Sequence, residues 1–465
     1  MINSRFGQLF LSLKPAEKRL FSKFIVSPFF NQQPILAQIW DYILDRYDTL
    51  DLLPDKEDLY ASAYPGKPYN DQQIRLSISR LYQNLLHFLA YQEATSNPPQ
   101  IKLYEAQALH KKQLEKHFQR SLGQAQKLAA DKGHKNAEFW QFSFQLQLEQ
   151  TRQISKIQYS GEAALQQLSD TLDLAYISAK LRHICLLLTH QKVFQSQFSI
   201  GLLPEILAYI KKNDLLKEPA IACYFYYYHT LIQSENNTHF QAFKSSIFQY
   251  SQQFPPEEIR DLFLLAINYC VKQGNEGKKA YISEMLELYK EGLQTDILLE
   301  QGELSHFTYH NIATAGLKTK DYEWVNQFIH QYKNKLARQH RESSYSFNGA
   351  RLAYAQGFYE KALPLLQKAN YKDLLLNLAA KTLLLKIYYE LDEFDLLNAH
   401  LDAMKNFIRR KAVIGYHRSN YLNIVRFTKK LTTVNPYDKA QRKSLANQIR
   451  KTEHLSEKEW LLAQL

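Results

Sequence analysis

The chain has little to staple itself with. Its three cysteines, Cys185, Cys223 and Cys270, are odd in number, far apart and set in apolar runs. That excludes a disulfide framework and points to a reducing compartment. Small buried core residues are their plainer role. Glycine and proline number only 14 each, which suits helix over β-structure. No apolar run approaches the ~20 residues that cross a bilayer. The longest, around Ile184 to Leu188, is flanked by Arg182, His183, His190 and Lys192. The opening MINSRFGQLFLSL has one basic residue and runs into Lys14-Pro15-Ala16-Glu17-Lys18-Arg19. It has no small-x-small cleavage site, so no signal peptide is expected. The expectation is a soluble, cytoplasmic protein with no membrane contact.

Catalytic signatures are also missing. There is no GxSxG, CxxC or HExxH. Gly274-Asn275-Glu276-Gly277-Lys278-Lys279 hints at a phosphate loop, but the four-residue gap between glycines and the following Ser or Thr are absent, and no strand precedes it. His306 and His310 stand at i, i+4 near Glu303, the spacing of a metal pair on one helix face. Packed or exposed histidines are the bland alternative, and the favoured one. Acid clusters such as Asp55, Glu57 and Asp58 suit helix starts, where the macrodipole favours negative charge. No enzyme activity, cofactor or metal is expected.

What the sequence has is helical periodicity. Its clearest stretch is Tyr345 to Met404. Leu352, Ala353 and Tyr354 end one helix, and Gln356-Gly357 makes a turn, since glycine enters the left-handed conformation at little cost. Tyr359, Ala362, Leu363, Leu366 and Ala369 then recur at threes and fours, one face of a second helix, with Pro364 in its first turns. The layout repeats. Leu383, Leu384, Leu385, Ile387 and Tyr388 make a helix, Asp392-Glu393 turns, and Phe394, Leu397, Leu401 and Met404 line the next. Tyr322, Tyr359 and Phe394 are 37 and 35 positions apart, a period that marks repeated helix pairs.

Residues 310–405 resemble the tetratricopeptide repeat. Its small first-helix residue falls on Ala350, its turn glycine on Gly357, its aromatic on Tyr359 and its second-helix alanine on Ala362. Three positions depart: Leu366 replaces a large aromatic, Leu374 the closing proline, and Ser346 a common tryptophan. The resemblance implies an all-α, right-handed α-solenoid of helical hairpins that binds another protein. It implies no chemistry, because these motif residues are structural. By spacing alone, drifted hairpins extend back to residue 101, six to nine in all. The expected pairs include 103–118 with 122–130, 139–154 with 163–174, 177–189 with 202–210, 221–231 with 240–250, and 262–271 with 280–288.

Residues 1–93 read as a separate N-terminal helical module, with helices starting at Pro15 and Pro34 and a long one after an Asn70–Gln73 capping motif. Ala94 to Gln100 reads as a linker, 101–404 as the hairpin repeats and 405–465 as a basic C-terminal helical cap. The stretch DLYASAYPGKPYNDQQIRLSISRLYQNLL resembles the last two helices of a winged-helix output domain of some bacterial transcription activators. That resemblance puts Arg75, Ser79 and Arg80 in a DNA groove. No wing pattern follows it, and Lys plus Arg equal Asp plus Glu across 1–100 at 10 each, whereas a domain held by phosphates is usually basic.

Two further features stand out. Tyr224, Phe225, Tyr226, Tyr227 and Tyr228 are consecutive aromatics and span a helix's whole circumference. They are either core and seam, or the lining of a partner groove, Tyr224, Tyr226, Tyr227 and Tyr228 being the groove candidates. From Lys405 to Lys451 there are 13 Lys or Arg and one acid, Asp438, a net +12 that equals the whole chain's. Arg409, Arg410, Lys411, Arg418, Arg426, Lys429 and Lys430 are candidates for docking an acidic partner or nucleic acid, with Phe407, Tyr416 and Tyr421 available for stacking. A solvated face is the alternative. The leading expectation is a non-enzymatic interaction scaffold; the second is a nucleic-acid-binding regulator.

Overall fold

The structure, a computed structural model, describes residues 4–154, 162–194, 196–233, 235, 237–368, 373–410 and 416–465. The described chain is all-α, with 23 α-helices and one short hairpin of strands. It forms two compact units, Met1–Leu231 and Ile232–Leu465. Among the described residues no helix is long and apolar enough to cross a membrane.

The first unit opens with α1 (Arg5–Ser12), α2 (Pro15–Ile25), α3 (Pro34–Leu50), α4 (Lys56–Ala63) and α5 (Asp71–Thr95). Local chemistry sets their starts. Pro15 and Pro34 occupy first helical positions, where a missing N–H is no loss. Ser4, Asp55 and Asn70 accept from the amides of Gly7, Asp58 and Gln73 at 2.9–3.0 Å, satisfying donors that a helix start otherwise leaves free. These helices close around Phe10, Phe21, Trp40, Ile74, Leu81 and Leu85. Trp40 is fully buried, with Phe10 and Phe21 edge-on to it at 5.4 and 4.6 Å. Its indole N–H donates to Ser22 Oγ at 2.9 Å.

Next come α6 (Pro98–Lys111), α7 (Glu115–Asp131), α8 (Ala137–Ile154), α9 (Glu162–Phe194), α10 (Leu203–Lys212) and α11 (Pro219–Ile232). The 94–100 stretch is mostly helical. Only Ser96-Asn97 separates α5 from α6, because Pro98 and Pro99 start a helix as readily as they break one. The turn expected near residues 118–122 lies instead at 112–114. Gln113 takes the left-handed conformation there, φ 58°, which no glycine advertises, and Phe118 and Leu122 are both buried residues of α7. The break expected between 174 and 177 does not occur. Asp173-Leu174-Ala175-Tyr176 contains no breaker, and α9 runs through it for 33 residues.

The second unit contains α12 (Asn237–Gln249), α13 (Pro256–Asn275) and α14 (Ala280–Gln294). A small antiparallel pair follows, β1 (Leu299–Glu300) and β2 (Glu303–Leu304), turned by Gln301 and Gly302 at φ 53° and 83°. Then come α15 (His306–Lys318), α16 (Tyr322–Gln331), α17 (Arg341–Ala355), α18 (Tyr359–Lys368), α19 (Leu374–Glu390) and α20 (Phe394–Arg410). The chain finishes with α21 (Tyr416–Leu431), α22 (Lys439–Lys451) and α23 (Lys458–Ala463).

Consecutive helices pack as pairs: α6 with α7, α8 with α9, α13 with α14, α15 with α16, α17 with α18, and α19 with α20. The last three pairs share one turn. Lys320, Gly357 and Asp392 take φ of 60°, 80° and 57°. In each turn the next amide reaches back five residues: Asp321 to Gly316 O at 3.0 Å, Phe358 to Ala353 O at 2.8 Å, Glu393 to Tyr388 O at 2.9 Å. This is the bond of a Schellman cap, which satisfies carbonyls the first helix leaves open. The first helices of these pairs also touch one another, α15 with α17 and α17 with α19. Pro364 differs from expectation. It lies inside α18, in its second turn, and removes an internal bond there. Ala369 lies outside the described residues.

Candidate functional site

The faces that α15, α17 and α19 turn toward one another carry polar groups in an otherwise apolar interior. Arg351 of α17 is central. Its NH1 donates to Asn348 Oδ1 at 3.2 Å and to His310 O at 3.4 Å, and its NH2 donates to Thr314 Oγ1 at 2.9 Å. Among the described residues, no carboxylate comes within ion-pair distance. Part of Arg351 stays in contact with solvent, yet its guanidinium is deep enough that burial pushes its pKa down to about 10. Arg351's hold on Asn348 Oδ1 turns the amide nitrogen toward His310 Nδ1, at 3.0 Å. Nδ1 therefore accepts, and the imidazole proton sits on Nε2. Burial lowers His310 to about 4.

A cavity of about 430 Å³ opens beside Arg351. Leu317, Tyr354, Lys386, Tyr421 and Glu457 are among the residues that line it. Lys386 of α19 is largely covered and pairs with Glu457 at 2.7 Å, and its ammonium stands 4.6 Å from the Tyr354 ring centroid. Just outside, Glu390 Oε1 accepts from Trp460 Nε1 at 2.8 Å, Gln464 Nε2 at 3.2 Å and the Tyr354 hydroxyl at 3.3 Å. Burial and that carboxylate both raise the Tyr354 phenol. The cleft thus presents two cations, aromatic walls and one internal carboxylate. Such a set is suited to holding an anion.

A second cavity, about 1040 Å³, lies beside the β1–β2 pair and includes Arg260, Glu303, His306 and His340. His306 stacks on His340 at 4.0 Å between ring centroids. His306 and His310 lie 6.4 Å apart, nearly perpendicular, and His310 is turned to Asn348, so they do not converge on a metal. Burial, then the neighbouring His340, hold His306 below its ordinary value. Among the described residues no group of three or more potential metal ligands gathers.

The aromatic run packs rather than opens. Tyr224, Tyr227 and Tyr228 are buried and Tyr226 is half-buried. Cys185 Sγ donates to Tyr224 O at 3.3 Å, and the Tyr227 hydroxyl lies 3.3 Å from Thr189 Oγ1. Burial raises Tyr227 to about 12. A helix that is apolar all round belongs inside, so these tyrosines do not line an open groove. All three cysteines are buried and free.

Arg75, Ser79 and Arg80 are exposed on α5. Arg75 pairs with Asp71 at 2.6 Å, and Arg80 donates to Gln33 Oε1 at 3.0 Å. The helix continues to Thr95 and α6 follows, so no strand pair of a wing succeeds it within 71–111. Arg409 and Arg410 end α20, and Arg418, Arg426, Lys429 and Lys430 are exposed on α21. Lys411 lies outside the described residues, as does the Tyr416 side chain; Phe407 and Tyr421 are half-buried. Lys429 reaches Asp402 at 3.7 Å, and Lys430 donates to Gln448 Oε1 at 2.7 Å.

Sequence reading passed over Arg351, Lys386 and Glu457. The one signal was an arginine beside the small residues Gly349, Ala350 and Ala353, on a face that should pack. No family model, curated protein or solved structure matches the chain. Its class rests on the fold: an all-α protein of consecutively paired helices.

Proposed function

We propose that the chain is a non-enzymatic scaffold, and that its second unit is a tetratricopeptide-like α-solenoid segment binding another protein along α15, α17 and α19. The reading is supported above all by the same turn recurring at residues 320, 357 and 392, joined to contact between the first helices of successive pairs. A stack built that way offers a continuous row of helix faces, and such repeats bind with that row.

The test is capture of partners by the tagged full chain in its native cell, with lysine cross-linking and mass spectrometry. The scaffold reading expects a saturable partner cross-linked through Lys318 of α15 or Lys381 of α19. Cross-links confined to residues 1–231 would reject it.

A second reading is favoured by Arg418, Arg426, Lys429 and Lys430, which are exposed together on α21: this face docks a polyanion. Retention on heparin should then fall steeply with salt, with a logarithmic slope of about −1 for each phosphate-like contact. Passage through the column at low salt dismisses it.

A further inference from the structure

Arg351 is an enclosed charge with unused capacity. A guanidinium has five N–H donors in a fixed fork. Three neutral acceptors, His310 O, Asn348 Oδ1 and Thr314 Oγ1, engage only its NH1 and NH2. An enclosed cation is ordinarily matched by a carboxylate. Among the described residues the one carboxylate lining the cavity belongs to Glu457, whose charge favours the Arg351 cation from a distance but whose ion pair is with Lys386. Glu457 is also held in the left-handed backbone region, φ 54°, which disfavours a residue with a Cβ. Its side chain is about 41% exposed while that of Lys386 is 13%. The cation is therefore fixed in the wall and the acid is the part free to leave.

We propose that the α17–α19 cleft is a binding site for an acidic side chain of a protein partner, held by Arg351 and Lys386, and that Glu457 is the chain's own competitor for it. The occupant is a carboxylate because one already fills half the site. It is peptide-borne because Leu317, Phe347 and Leu383 give the cavity apolar wall that a bare inorganic anion does not use. Leu461 of α23 is fully buried in the core, so exchange needs only the Glu457 side chain to swing out and leaves the cap helix in place. The proposal rests on the scaffold reading, and supplies the chemistry of the segment the scaffold takes.

The probe is a fluorescein-labelled peptide copying residues 456–462, Ser-Glu-Lys-Glu-Trp-Leu-Leu, beside a version with both acids changed to Gln. Anisotropy is measured against the full-length chain. Glu457→Gln should tighten the acidic peptide about tenfold or more, since it removes a competitor held at high effective concentration. Adding Arg351→Gln or Lys386→Gln should return binding to the starting level or below, and two such variants guard against one failing to fold, checked by circular dichroism. Inorganic phosphate at millimolar concentration should not displace the peptide. Equal binding of acidic and neutral peptides, no gain from Glu457→Gln, or full displacement by phosphate would each overturn the proposal. None of these results bears on cross-linking of a partner along α15, α17 and α19, so the two readings fail separately.

Discussion

Trp40 is fully buried in the first unit and Arg351 partly buried in the second, and the two are held in opposite ways. Trp40 sits among aromatic rings, and its one polar atom is satisfied by Ser22. Arg351 sits among neutral acceptors, with no ion pair to a carboxylate among the described residues, beside a cavity. The first arrangement converts apolar area into stability, at roughly 25 cal/mol per Å² removed from water. The second places a charge where water is scarce, which costs stability unless something else is gained. On the proposed scaffold reading, burial in the α1–α5 core serves to hold the shape, and the polar seam between α15, α17 and α19 serves to hold a partner.

The contrast is sharpest at Trp40. Trp40→Ala should destabilise the first unit by about 3–5 kcal/mol, because it empties a fully enclosed site among rigid rings. Denaturant unfolding followed by tryptophan emission can assign the loss: Trp140 reports on residues 1–231, and Trp324 and Trp460 on residues 232–465. A loss below about 1 kcal/mol would mean that the first core is not the tight body its burial implies.

Acid should distinguish the two interiors next. His310 is lowered to about 4, below the ordinary 6.5 of an unfolded chain. Between those values the unfolded chain binds a proton that the native state refuses, so stability is complete above pH 6.5 and falls as pH drops through 4. Burial opposes protonation of His310 most, the charges of Arg351 and His306 add to that, and Asn348 and Asp373 favour it less strongly. The loss in the second unit should reach up to about 3 kcal/mol, at 1.4 kcal/mol per pH unit of separation. His310→Gln should flatten that slope, and an unchanged slope would remove His310 from the account.

The smallest effect expected is at Gly316. A Cβ there would overlap Val325 Cγ2 of α16. Gly316→Ala should cost about 1–3 kcal/mol by overpacking, read as a shift in the Trp324 transition. A neutral substitution would show that this pair of helices has room to separate, unlike the aromatic core of the first unit.

The pairs of residues 345–404 were legible because their turns carry Gly357 and Asp392-Glu393 between clean apolar stripes. The same physics hid the others. Gln113 enters the left-handed region without being glycine, and α9 passes Ala175 where only drifting periodicity suggested a break. Leu299–Leu304 is too short for alternation to register. The aromatic run was visible, but which side of α11 faces a neighbour depends on tertiary packing. The cleft was the least legible feature. Arg351, Lys386 and Glu457 are ordinary charged residues in sequence and meet only because α17, α19 and the start of α23 come together. Basic residues 405–451, by contrast, could be counted directly, and those described on α21 do lie at the surface.

The pairing of each helix with its neighbour in sequence also sets how the chain finds and loses its structure. Contacts between α15 and α16, α17 and α18, or α19 and α20 close loops of only a few residues, so little entropy is spent before each pair forms. Chains dominated by such local contacts fold quickly for their length. On the proposed repeat reading they also open by degrees, since each pair then leans mainly on the next. Amide exchange across residues 306–410 should therefore be graded pair by pair, with a half-open intermediate that keeps some helix faces intact while others are free.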